Sequence, residues 1–140
     1  MKTLGLILCI LFTGSIATAQ ETTTGKDIKV VINNVLSDEG KVIVSLHSDA
    51  TFMKGAGIQN LESTIKDGKV SFTFKNVPPG TYAIMAMHDV NENNRMDFEA
   101  NGMPKESYGM SGNAMSMGPP TFEDAKFTLA DKEMEFSIKF

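Results

Sequence analysis

The feature that most limits what this chain can become is its rhythm. Beyond Glu21, apolar side chains recur at every second residue, in runs too short for helices. Ile28, Val30 and Ile32 alternate around Lys29 and Val31, and Val42, Val44 and Leu46 around Ile43 and Ser45. Val70, Phe72 and Phe74 alternate with Ser71, Thr73 and Lys75; Met134, Phe136, Ile138 and Phe140 alternate with Glu135, Ser137 and Lys139. Successive side chains of a strand point to opposite faces, so each run offers one face to a core and one to water. Residues 82–87 are apolar on both faces, the pattern of a central strand. Phe127 and Leu129 mark a further strand, and residues 61–66 complete the set.

Punctuation between the runs agrees with this. Residues 37–40 (Ser-Asp-Glu-Gly) and the pair Asp67-Gly68 read as hairpin turns, since Asp and Gly accept the positive φ such turns need. Residues 76–80 (Asn-Val-Pro-Pro-Gly) make another sharp connection, and residues 130–133 close a final hairpin. Together these predict an all-β fold: a single antiparallel β-sandwich of about seven strands, immunoglobulin-like or transthyretin-like. Its expected core contains Val42, Val44, Leu46, Phe72, Phe74, Ile84 and Phe136. One domain over residues 20–140 accommodates all of it. The exception is residues 89–121, a single long loop without strand signal, and loops of that length in compact domains usually carry function.

Residues 1–19 read as a signal peptide. Lys2 gives the positive start, residues 4–12 the apolar segment, and Ala17-Thr18-Ala19 a small-x-small cleavage site. The apolar segment is far shorter than the roughly twenty residues a spanning helix needs, so no membrane span is expected after cleavage. The protein is expected in the periplasm or outside the cell. Its one cysteine, Cys9, lies in the leader, which leaves the exported chain without disulfide, thiolate or cysteine metal site. Lys and Arg number 13 against 17 Asp and Glu, with no basic run to grip phosphates, so nucleic acid is excluded as a partner.

The long loop opens on Asp89, Asn91, Asn93, Arg95 and Asp97, the pattern D-x-N-x-N-x-R-x-D. Ca²⁺ takes six to eight oxygen ligands, and this spacing supplies them at loop positions one, three, five, seven (the Arg95 carbonyl) and nine. Position six needs a sharp turn; Asn94 stands there, and asparagine tolerates the left-handed conformation. Position twelve is Ala100, not the usual bidentate glutamate, so Glu99 or Glu106 is expected to fold back and close the site. Further on, residues 102–113 and 118–122 are dense in Gly and Pro, with Tyr108 and Phe122 expected to pin the loop to the sandwich.

The run from His88 to Phe122 resembles the small exported bacterial proteins grouped as Domain of Unknown Function 2141. The resemblance rests on His88-Asp89, on Asn91, Asn93 and Asp97, and on Gly102-x-Pro104-x-Glu106-x-Tyr108-Gly109. It also rests on Pro119-Pro120-x-Phe122-x-x-Ala125 and on the upstream Pro79-Gly80-x-Tyr82 turn. It extends over about residues 27–140, and departs at Asn94, where a glycine is common. The Pro-Gly-Thr-Tyr hairpin is also similar to transthyretin-like and carboxypeptidase-regulatory sandwich domains. The resemblance implies a fold and a compartment, and no known activity.

Catalysis is not expected. His47 and His88 are the only histidines, no Gly-x-Ser-x-Gly elbow occurs, and residues 109–113 end on Asn113 instead of glycine. His88 beside Asp89 is expected to orient its neighbour rather than act as a base. The expected role is a non-catalytic binding or structural module of the cell envelope with a calcium-stabilised loop, its partner an envelope protein or glycan. Two alternatives differ in class: periplasmic copper binding through the thioethers of Met110, Met115 and Met117, and a small hydrolase.

Overall fold

The alternating runs become strands close to where the rhythm puts them. The computed structural model describes residues 24–114 and 117–140, so the signal peptide expected at residues 1–19 and Met115 lie outside the described residues. The strands are β1 (Lys26–Ile32), β2 (Lys41–His47), β3 (Gln59–Ser63), β4 (Val70–Val77), β5 (Gly80–Asp89), β6 (Tyr108–Met110), β7 (Phe127–Leu129) and β8 (Met134–Ile138). A one-turn helix, α1 (Phe122–Ala125), precedes β7. Thr121 caps it by accepting from the Asp124 amide at 3.3 Å, and Glu123 and Asp124 place negative charge in its first turn.

Two sheets face each other, one ordered β4-β1-β8 and the other β3-β2-β5-β6, with β7 also paired to β5. Their facing side chains form the main core: Ile28, Val30 and Ile32 of β1, Val42, Val44 and Leu46 of β2, Phe72 and Phe74 of β4, Ile84 of β5 and Ile138 of β8. Phe136 packs against this core while remaining half-buried, and its ring lies 4.4 Å from that of Phe127. The sandwich and its expected core are therefore present.

Three features depart from expectation. The pairing is not wholly antiparallel, because β8 runs parallel to β1 with Ile28 opposite Met134. Most of the tight turns do not make hairpins between paired strands. Residues 37–40, 76–80 and 130–133 each carry the chain from one sheet to the other. Asp67 and Gly68 do form a two-residue turn, at φ 53° and 69°, but it is flanked only by a Lys66–Lys69 bridge and also leads across sheets. Third, the long loop contains β6 and runs directly into α1 at its end.

Those two insertions cover the back of β5. On that strand Tyr82, Ile84 and Ala86 face the main core, while Ala83 and Met85 face a smaller cluster with Phe52, Met110, Ala125 and Phe122. Buried Ser111 ties this second layer down, accepting from the Ile84 amide at 2.9 Å and donating to the Ala125 carbonyl. Phe122 pins the loop as expected, its ring 5.7 Å from Phe52, whereas Tyr108 is over a third exposed and is not an anchor. Two asparagine side chains pair with the backbone around β8 as a neighbouring strand would. Asn113 donates to the Ser137 carbonyl (2.8 Å) and accepts from the Lys139 amide (2.9 Å); Asn34 does the same with Phe140 (2.9 and 3.2 Å).

Candidate functional site

The end of β5 divides two polar residues between its faces. His88 points into the sandwich, its ring parallel to that of Phe140, and its Nε2 lies 2.7 Å from the Glu39 carbonyl. A carbonyl only accepts, so Nε2 carries the proton and straps the β1–β2 connection to β5. Gly40 sits beside this strap at φ 68°, where an added Cβ would come within 2.2 Å of the Asp89 carbonyl, so only glycine fits. Asp89, one residue on, faces the opposite way beneath the long loop and is fully buried.

The loop then folds onto Asp89. The Asn93 amide donates to Asp89 Oδ1 (3.1 Å) and the Asn94 amide to Oδ2 (2.8 Å). Asn91 and Asn93 each turn an amide oxygen back on the chain two residues later, accepting from the amides of Asn93 (3.2 Å) and Arg95 (3.1 Å). These are Asx-turns, the local geometry asparagine favours. Asn94 takes the left-handed conformation foreseen for it (φ 63°), and Glu92 takes it too (φ 57°). The nitrogens of the Asn91 and Asn93 side chains both donate to Asp97 Oδ2, at 2.7 and 2.9 Å. Four of the five expected side chains and backbone groups are thus drawn into one turn. Arg95 enters it through its amide, and its largely exposed guanidinium turns back to Asp97, with Nε 3.7 Å from Oδ1.

Beyond Asp97 the chain makes a small antiparallel excursion. Phe98 bridges Pro104, the Glu99 amide donates to the Met103 carbonyl (2.7 Å), and the Lys105 amide donates to the Asp97 carbonyl (2.8 Å). Glu99 is exposed on this excursion and does not reach the turn. Glu106 does: its Oε2 accepts from the Asp97 amide at 2.9 Å.

Lys41 contributes a residue that sequence reasoning missed. It lies opposite Asp89 in the β2–β5 register, and its ammonium donates to Asn94 Oδ1 (2.6 Å) and Glu62 (2.7 Å). The hydrogen bond to Glu62 holds its pKa above the usual lysine value against partial desolvation, and the charges of Glu62, Asp89 and Glu92 add to that. The signal was cross-strand: only the pairing of β2 with β5 brings residue 41 to residue 89.

Chemically, the site is a compact set of hard oxygen donors with few charges. Among the described residues no three His, Asp or Glu side chains gather closely enough to hold a metal by themselves. Any cation here must draw on the asparagine amides and backbone carbonyls, as the D-x-N-x-N spacing requires. The methionine cluster finds less support. Met110 is buried beside Phe52 in the second layer and Met117 is fully exposed. Among the described residues no helix is long and apolar enough to cross a membrane.

A family model described as an uncharacterized protein conserved in bacteria (DUF2141) matches residues 30–137. No curated protein and no solved structure matches the chain.

Proposed function

The chain belongs to the DUF2141 family of uncharacterized bacterial proteins, and on that premise we propose an exported, non-catalytic binding or structural module of the cell envelope whose long loop is held by one Ca²⁺. The observation that carries this reading is the convergence of Asn91 and Asn93 on Asp97 above buried Asp89. Two amide nitrogens there do for Asp97 Oδ2 what a cation does by coordination. Each amide oxygen keeps a second lone pair for a metal after its Asx-turn is made. Asp89, Asn91, Asn93, the Arg95 carbonyl and Asp97 are the ligands in this reading. With so few carboxylates the dissociation constant is expected near the weak end of calcium sites, about 10⁻⁴ to 10⁻³ M.

The non-catalytic part is supported by the engagement of the groups a hydrolase would use. Ser111 is held between two backbone groups, His88 Nε2 is spent on the Glu39 carbonyl, and buried His47 contacts the Thr51 hydroxyl. Export is supported by the charged start, apolar segment and small-x-small site read at residues 1–19. Mass spectrometry of the exported form should begin at Gln20; a retained Met1, or lipid on Cys9, overturns that part.

Thermal melting in calcium, in EDTA and in Cu(I) tests the metal. At ten times the dissociation constant, Ca²⁺ adds about 1.4 kcal/mol, a rise on the order of 5 °C for a domain of this size. A melting temperature indifferent to ~10 mM calcium removes the site. A selective rise in Cu(I) moves the assignment to the methionines instead.

A further inference from the structure

Glu106 is a buried carboxylate with half of its hydrogen bonding undone. It is 8% exposed; Oε2 accepts from the Asp97 amide, and Oε1 is buried with no hydrogen-bond partner. Oε1 is the single buried side-chain polar atom among the described residues left in this state. Buried polar atoms are almost always partnered, and a carboxylate oxygen is among the costliest to strand.

Its position is set by the excursion after Asp97. With Phe98 bridged to Pro104 and the Lys105 amide bonded to the Asp97 carbonyl, residue 105 lies opposite residue 97, and Glu106, the next residue, reaches the Asp97 amide with its side chain. The β6 strand that follows holds it there, because Tyr108 pairs with Met87 two residues before Asp89. The antiparallel return thus delivers a glutamate to the ninth position of the D-x-N-x-N-x-R-x-D turn. In the twelve-residue calcium loop the corresponding carboxylate arrives along a helix, at position twelve. Here Ala100 occupies that position and Glu99 faces solvent.

We propose that Glu106, through the otherwise unpartnered Oε1, is the ligand that closes the loop around Ca²⁺. This rests on the calcium reading above and adds a third carboxylate to it, one that has to close in on the ion, since no three acidic side chains among the described residues are gathered closely enough to hold a metal by themselves. The ion would gain the charge that Asp89 and Asp97 alone leave short, and Oε1 would gain its partner. The same act fixes the Phe98–Pro104 excursion to the turn, since Glu106 anchors one and completes the other.

Calorimetric titration with CaCl₂, after chelator treatment, separates the cases in the wild type, Glu106→Gln, Glu106→Asp and Glu99→Gln. Calcium affinity is expected to fall at least about tenfold in Glu106→Gln, because affinity at such sites follows ligand charge. Glu106→Asp, which keeps the charge and shortens the reach, is expected to fall between that variant and the wild type. Glu99→Gln should bind as the wild type does. In EDTA, Glu106→Gln should melt no lower than the wild type, since it buries a neutral amide in place of a stranded charge. Wild-type binding matched by Glu106→Gln overturns the role of Glu106 and leaves the five-ligand site standing. An equal loss in Glu99→Gln also overturns it, reducing the effect to general charge. Failure of the wild type to bind Ca²⁺ overturns the site itself, and this inference with it.

Discussion

The two faces of β5 are held in different ways. Toward the sandwich, Tyr82, Ile84 and Ala86 meet a continuous apolar core drawn from both sheets. Toward the loop, Ala83 and Met85 meet only a small apolar cluster, and the strand ends at Asp89 under a net of hydrogen bonds. Apolar burial is non-directional and indifferent to ions. A polar net has defined partners and responds to whatever competes for them. One face is therefore held by burial, and the other largely by directed partners.

The largest way to break this contrast is on the apolar face. Phe74→Ala, at a fully buried site, should lower unfolding free energy by about 3–5 kcal/mol. Urea unfolding should give the same loss in calcium and in EDTA, because the loop is not involved. Asp89→Ala attacks the other face. Losing the acceptor for the Asn93 and Asn94 amides should cost about 2–4 kcal/mol in EDTA, and should erase the calcium-dependent rise in melting temperature. A variant that kept that rise would show Asp89 to be a backbone acceptor only.

A smaller effect separates the faces by pH. His47 ends β2, packs edge-on to Phe52 in the loop-side cluster, and is buried. Burial pushes its pKa below the ordinary 6.5, with the hydrogen bond at Thr51 offsetting part of this. Since the folded value is depressed, the unfolded chain takes up a proton first as pH falls through 6.5, and stability declines until the folded value is reached. Above that window His47 contributes no slope. Melting between pH 5 and 7.5 should show this slope in the wild type and less of it in His47→Gln. Smallest is the surface. Lys29 and Glu135 lie 3.5 Å apart with both side chains more than half exposed, so Lys29→Ala should shift stability by less than about 1 kcal/mol.

How far the sequence could be read follows from the range of each signal. Alternation is local, and it located the long strands and all seven expected core residues, with Phe136 only half-buried. Turn chemistry is local as well. It marked where the chain reverses at residues 37–40, 76–80 and 130–133, but not that each reversal changes sheet. The parallel pairing of Ile28 with Met134 has no local signature at all. Tyr108-Gly109-Met110 escaped because three residues among Gly and Pro display no period. Gly109 is there for contact: an added Cβ would meet the Lys139 carbonyl at 2.3 Å. In the site, the D-x-N-x-N spacing located Asn91 and Asn93 and the left-handed tolerance of asparagine located Asn94, while Lys41 depended on strand register and stayed hidden. Of the two acids expected to fold back, only the structure separates Glu106 from Glu99.

The parallel pairing also bears on how long the chain takes to fold. β1 completes its sheet only with β8, whose residues follow it by about a hundred positions, and neither strand finds a partner among its immediate neighbours in sequence. Closing so large a loop costs entropy before any contact rewards it, and topologies of this kind fold slowly for their size. The five-stranded sheet has no such debt, since β2 and β3 are consecutive and β5 comes soon after. On this topology the β4-β1-β8 sheet is expected to be the last to lock, with the Asn34 and Asn113 amides closing onto the backbone around β8.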